Sequence, residues 1–187
     1  LRVNFVGELG WELHHPIEMQ NYIFDQLMEA GAEFDIKPFG IRAMDSMRLE
    51  KSYRLIPREM SIEYSAYESG LDRFVKLDKE NDFIGKSALK DWQDRGPING
   101  FVTLEVLGVV DADARGSEAI YKDGEVIGRA TSGGYGWRCD KSLALGLVKL
   151  ELAAHGTELE IEILGEKYKA IVIEESPFDS TNECLRS

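Results

Sequence analysis

The chain has 187 residues, 43% of them apolar, which is enough to build cores for one sizeable domain or two small ones. Its formal net charge of −12 repels a phosphate backbone and argues against nucleic acid as a partner. No apolar run reaches the length of a membrane span, and the start carries no basic-then-apolar export pattern. Two cysteines, Cys139 and Cys184, without a C-x-x-C pair, and three histidines are too few for a disulfide framework or an ordinary zinc site. Free thiols in a reducing compartment are expected, cytoplasmic or, in a eukaryote, the mitochondrial matrix.

The chain opens inside a strand pattern, "LRVNFVGELGWELHH", as if cut from a longer polypeptide. Read as a strand, residues 5–15 place Trp11 and Leu13 on one face and Glu12 with His14 on the other. On spacing alone, Glu12 is a solvated outer-face residue; the sharper alternative is an acceptor in a pocket. His14 and His15 face opposite ways on such a strand and cannot chelate one ion together.

Next, "IEMQNYIFDQLMEAG" sets Ile23, Phe24, Leu27 and Met28 at helical spacing and ends at Gly31, a natural stop. A second helix is expected over about a dozen residues between Ile41 and Leu55, with Ile41, Met44 and Met47 recurring. It is the most charged element, carrying Arg42, Asp45, Arg48, Glu50, Lys51, Arg54 and Arg58. Asp45 stands three residues from both Arg42 and Arg48, the spacing of intrahelical ion pairs, so a salt-bridged solvated face is the plain reading. Against an acidic whole, its five cations would also form a docking surface for an anionic small molecule. A short strand at 74–77, a loop, and a helix from near Ser87 to Gly96 complete an α+β segment.

From Phe101 short strands follow at close spacing, which predicts a small barrel or sandwich. Asp123-Gly124 suits a two-residue hairpin turn, and a second turn is expected around Gly165-Glu166. Leu159, Ile161 and Ile163 alternate with Glu158, Glu160 and Glu162, a buried face against a solvated one. The Gly-rich "TSGGYGWRCDK" contains neither G-x-G-x-x-G nor a P-loop and is flanked by strands, so a turn with a bulge is expected rather than a phosphate cradle. No G-x-S-x-G is present, and neither cysteine has a histidine nearby in sequence.

Four segments, "FVGELGWEL", "GIRAMDSMRLEKSYR", "SGLDRFVKLDKENDFIGKSAL" and "ATSGGYGWRCDKSLALGLV", stand in the order of a known family. The chain resembles the C-terminal part of the folate-dependent aminomethyltransferase family, the T-protein of the glycine cleavage system. Its wording is nearest to the folate domains of dimethylglycine and sarcosine dehydrogenases. The resemblance implies an α+β folate-binding segment, residues 1–97, incomplete at its N-terminus, and a small antiparallel β-barrel over residues 98–187. It implies tetrahydrofolate as the cofactor, with FAD only if a flavin domain precedes the chain. The reaction implied is transfer of a one-carbon unit from a methylated amine or aminomethyl donor. An upstream or separate oxidoreductase, or a lipoyl carrier protein, is the implied protein partner.

By the same resemblance Glu12 aligns with the glutamate that holds the pterin, whose amino group and ring N–H form a donor pair for a carboxylate. Arg42 and Arg48 are the candidates for the folate carboxylates. The family's folate-contacting arginine before Asp-Ser is Met44 here, and two positions turn a helix by about 200°, so Arg42 does not occupy its place. The family's catalytic aspartate is expected upstream of Leu1, and no residue of this chain is assigned as the acid. Two alternatives have other products or none: a folate-dependent demethylase of a methylated sulfur compound, and a non-catalytic folate-binding protein. Relatives of the second kind carry Lys-Gly-Cys-Tyr-x-Gly-Gln where this chain reads "VNFVGELG".

Overall fold

The computed structural model describes residues 1–186. After a 3-10 turn at Ile17–Met19, helix α1 spans Gln20–Ala30 and stops at Gly31, where the sequence pattern places its end. Helix α2, Ile41–Glu50, ends earlier than the expected Leu55. Ser52 takes a left-handed φ of 55°, and the N–H groups of Lys51 and Tyr53 both return to the Arg48 carbonyl. This closes the last turn and satisfies carbonyls that a helix end otherwise leaves open. Helix α3 spans Lys86–Arg95 and ends at Gly96.

Two expected strands are absent. Residues 5–9 form bends, and Gly7 at φ +79° turns the chain out of extended geometry. One reciprocal exchange ties the ends of this segment together, with Glu12 N–H donating to the Leu1 carbonyl and the Leu1 amine to the Glu12 carbonyl, both at 2.9 Å. The expected strand at 74–77 is replaced by a 3-10 turn at Asp72–Phe74. In both places hydrophobic spacing suggested a strand, but no neighbouring strand supplies a ladder for it.

The strands all lie in the second part: β1 Asn99–Val106, β2 Ala119–Lys122, β3 Glu125–Gly136, β4 Lys141–Lys149, β5 Glu158–Ile163 and β6 Glu166–Ile173. They close an antiparallel barrel in the order β1-β4-β3-β2-β5-β6, which leaves no free sheet edge. Its interior is filled by Val102, Leu104, Ile120, Ala144, Val148, Ile161 and their neighbours, all buried. Each such side chain contributes about 1.5 to 3 kcal/mol by leaving water. Leu159, Ile161 and Ile163 point inward and the intervening glutamates do not, as the alternation predicts.

Asp123-Gly124 turns β2 into β3 with positive φ at both positions. The last hairpin turns at Leu164-Gly165, one residue earlier than expected, again with both φ positive. The Gly-rich stretch is not a loop: residues 131–136 continue β3, with a register shift between Ala130 and Ser132. Gly133 permits close approach there, since a Cβ on it would fall 2.5 Å from the Ala114 carbonyl oxygen. Among the described residues no helix is long and apolar enough to cross a membrane.

Candidate functional site

Glu12 follows the 5–9 bends and is held by its backbone exchange with Leu1. Its side chain is 59% exposed; Oε2 meets His14 Nε2 at 3.3 Å, and Oε1 has no partner among the described residues. The carboxylate lies in a shallow depression of about 560 Å³ with Leu1, Leu13, His14, His15 and Ile23. An acceptor with an uncommitted oxygen, flanked by apolar side chains, suits a flat heterocycle that presents paired N–H donors.

The segment bearing Glu12 is tied to the barrel through Arg138, in the turn between β3 and β4. Arg138 donates to Glu8 Oε1 at 2.7 Å, to the Val6 carbonyl at 3.0 Å and to the Met47 carbonyl at 3.1 Å. It also ion-pairs with Glu50 and stacks on Phe178 at 3.7 Å. One guanidinium thereby joins residues 5–8, α2, the barrel and the C-terminal tail. Nothing in hydrophobic periodicity marks Arg138, and its hydrogen-bond partners lie about ninety or more positions away, so the sequence reading missed it.

The charged helix is not a solvated face. In Asp45-Ser46-Met47-Arg48-Leu49-Glu50, each polar residue but Asp45 reaches the barrel directly. Ser46 donates to the Tyr135 carbonyl at 2.6 Å, Arg48 Nη2 to Ser132 Oγ at 2.8 Å, and Glu50 accepts from the Arg138 N–H at 2.6 Å. Asp45 acts through Arg48, whose Nε it binds at 2.6 Å. Arg48 is fully buried, and its Nη1 serves the Tyr53 carbonyl and Glu59. All three of its nitrogens are committed to protein oxygens, so it fastens α2 to β3 and does not face a ligand. Arg48 was expected to dock the folate carboxylates, and in this structure those nitrogens are bound to Asp45, Tyr53, Glu59 and Ser132 instead. Arg42 lies exposed in the first turn of α2, has no ion-pair partner among the described residues, and does not line the Glu12 depression. The structure therefore does not gather Glu12, Arg42 and Arg48 into one cluster.

The next positions extend the polar joint. Lys51 is buried and donates to the Phe178 carbonyl at 3.1 Å, the Asp179 carbonyl at 2.6 Å and Asn182 Oδ1 at 2.9 Å. Burial pushes its pKa down, against the opposing charge of Asp179. Gly7 lies directly on its stem, where a Cβ would come within 2.6 Å of Lys51 Cγ. Arg54 donates to the Ser69 carbonyl at 2.9 Å, pairs with Glu175 and lies over the Phe101 ring at 3.7 Å. Glu59 accepts from Leu55 N–H, Thr131 Oγ1 and Ser132 Oγ at 2.8, 2.6 and 2.5 Å. No described buried side-chain polar atom lacks a partner.

Burial raises the Cys139 pKa, with Glu50 adding to it, which leaves that half-buried thiol a poor nucleophile. No group of three His, Cys, Asp or Glu side chains among the described residues is placed to hold a metal ion.

Comparison with known proteins matches residues 1–79 to the GCVT N-terminal domain and residues 100–179 to the glycine cleavage T-protein C-terminal barrel domain. The human protein named mitochondrial dimethylglycine dehydrogenase is 42% identical over 175 residues, covering 94% of this chain and 20% of that protein. An aminomethyltransferase of Bacillus cytotoxicus is 35% identical over 174 residues, covering 92% of this chain and 46% of the relative. Among solved structures, aminomethyltransferase T of the glycine cleavage system from Bartonella henselae superposes with a TM-score of 0.86 at 25% identity, over 95% of this chain and 49% of that one. The chain thus spans about a fifth of the first relative and just under half of the others.

Proposed function

Because the chain belongs to the glycine cleavage T-protein family, we propose that it is the C-terminal part of an enzyme that transfers a one-carbon unit from a methylated amine or aminomethyl group to tetrahydrofolate. The observation that carries this reading is that the same nine-tenths of the chain aligns with both a dimethylglycine dehydrogenase and an aminomethyltransferase. What those two share is the chemistry to expect here. The division into an α+β folate-binding segment, residues 1–97, and a barrel, 98–187, belongs to the same proposal.

Glu12 accepts the pterin donor pair through its carboxylate, and the apolar rim of Leu1, Leu13 and Ile23 covers the ring edge. Arg42 offers an exposed cation to the folate carboxylates. Tetrahydrofolate supplies the nucleophilic amine that accepts the carbon, and this chain's contribution is binding and orientation. Arg138, through Glu8 and the Val6 carbonyl, holds the segment that presents Glu12.

Glu12→Gln in the intact native polypeptide keeps the size and removes the charge. It should weaken reduced-folate binding by roughly 1 to 3 kcal/mol, read by equilibrium titration. Unchanged affinity removes Glu12 from the site. Product analysis then separates the chemistries: methylenetetrahydrofolate supports amine-derived transfer, whereas methyltetrahydrofolate points to demethylation of a sulfur compound.

A further inference from the structure

A second cavity lies on the barrel wall, away from the Glu12 depression. It has a volume of about 250 Å³ and is lined by Arg58, Arg115 and Arg129 with Gly116, Ser117 and Thr131. No carboxylate lines it. Four other surface cavities of the molecule each include at least one Asp or Glu, as an acidic chain leads one to expect. Three arginines converging on one concavity of a chain with net charge −12 repel one another and lower the local concentration of other cations. Such an arrangement calls for an anion.

The partners of the three arginines differ in a way that leaves two available. Arg129 is held by an ion pair with Glu63 and lies 5.4 Å from the Tyr64 ring centre. Arg58 is half-buried, and its one side-chain hydrogen bond among the described residues is a long approach to Ser132 Oγ at 3.5 Å. The Arg115 guanidinium has no hydrogen bond or ion pair among the described residues.

Two nearby carboxylates are engaged by donors other than the Arg58 and Arg115 guanidinium groups. Glu118 spends both oxygens on the N–H groups of Arg115 and Gly116, at 2.8 and 2.7 Å. Glu59 is buried behind Thr131 and Ser132, whose hydroxyls it accepts. The floor is fixed as well. Gly116, at φ +118°, lies so close to β3 that a Cβ would fall 2.7 Å from the Thr131 carbonyl oxygen. The turn carrying Arg115 is thereby pressed against the strand, on the same cavity as Arg58.

We propose that this cavity is a binding site for a small oxyanion, the carboxylate or phosphate of a small molecule, held by Arg58 and Arg115. Arg129 forms its cationic wall. Guanidinium groups pair with either anion in bidentate fashion, so both sources share one recognition chemistry. The site stands on its own residues and does not depend on Glu12.

The test is calorimetric titration of the intact native polypeptide at low ionic strength with inorganic phosphate and, separately, with succinate. One-site saturable binding of at least one probe is expected. Arg115→Gln and Arg58→Gln should each weaken it by about tenfold or more, since each removes a charge-assisted contact. Arg95→Gln, on α3 outside the cavity, should leave it unchanged. Tighter phosphate binding identifies a phosphorylated ligand; tighter succinate binding identifies a carboxylate ligand. Arg115 is exposed, so its replacement should keep the unfolding midpoint, and it decides the matter if Arg58→Gln disturbs the fold. Absence of saturable binding by both probes, or binding that neither substitution alters, overturns the proposal.

Discussion

The barrel and the segment carrying α1 contain similar side chains and use them differently. In the barrel, leucine, isoleucine and valine are removed from water on strands that close on themselves. In α1 no residue is buried: Phe24 is 53% exposed and Leu27 44%. Between the two lies α2, whose outer turn is open and whose last turn, Arg48 to Glu50, is buried among charges. The contrast separates two ways of holding an element. The barrel rests on apolar burial, and α2 is fixed to it by hydrogen-bonded ion pairs that give orientation at the expense of desolvation.

The largest effect should come from breaking that ionic joint from one side. Glu59→Ala removes the acceptor for Thr131, Ser132 and the Leu55 N–H and leaves Arg48 buried with Asp45 as its remaining carboxylate. A loss of about 3 to 5 kcal/mol in unfolding free energy is expected, measured by denaturant titration. Replacing Arg48 and Glu59 together by apolar residues of similar volume should cost less, because the one charge left over, Asp45, is partly exposed to water.

Leu104→Ala tests the other half of the comparison. Leu104 is fully buried on β1, and its truncation should cost roughly 2 to 5 kcal/mol, transfer and cavity together. A value below 1 kcal/mol would mean that the barrel core is not the main source of stability.

The two regions were also unequally legible in the sequence. Alternation with period two marked β5 unmistakably, because Leu159, Ile161 and Ile163 meet a core and the glutamates between them do not. The same argument placed a strand at residues 5–15, where the bends and the lack of a neighbouring strand prevail over the pattern. The α2 charges failed for a different reason. Arg48 and Asp45 at helical spacing indicate a pair, but spacing does not reveal that Ser132, eighty-four positions away, closes over it. Arg138 carried no local signal, since every partner it holds is brought to it by the fold. Glu12 is a candidate only through its motif, since its exposed carboxylate alone reads as surface charge.

A smaller effect should appear with pH. Burial opposes ionisation of Glu68, but hydrogen bonds from Ser65 and Asn99 outweigh it and hold the pKa below the ordinary 4.5. A carboxylate with a depressed folded pKa adds stability that is complete above its unfolded value and is lost as pH falls through the folded one. Glu68 joins the loop at 65–68 to Asn99 at the start of β1, so this loss should begin near pH 4.5 and deepen below it. Glu68→Gln should flatten that part of the stability profile. An unchanged acid slope would place the titrating group elsewhere.

The smallest effect is expected in α1, and it is the sharpest test of the comparison. If burial rather than hydrophobicity decides what a side chain contributes, Phe24→Ser in the 187-residue chain should change unfolding free energy by no more than about 0.5 kcal/mol, although it removes a larger apolar group than Leu104→Ala. Serine and phenylalanine have nearly the same helix propensity, so the sign, a small loss, comes from the part of the ring that is withdrawn from water. The measurement is paired denaturant titrations of the two variants. A Phe24→Ser loss comparable with that of Leu104→Ala would mean that the α1 face is covered in solution, and the distinction between the two regions would then lie in what covers them and not in the residues they carry.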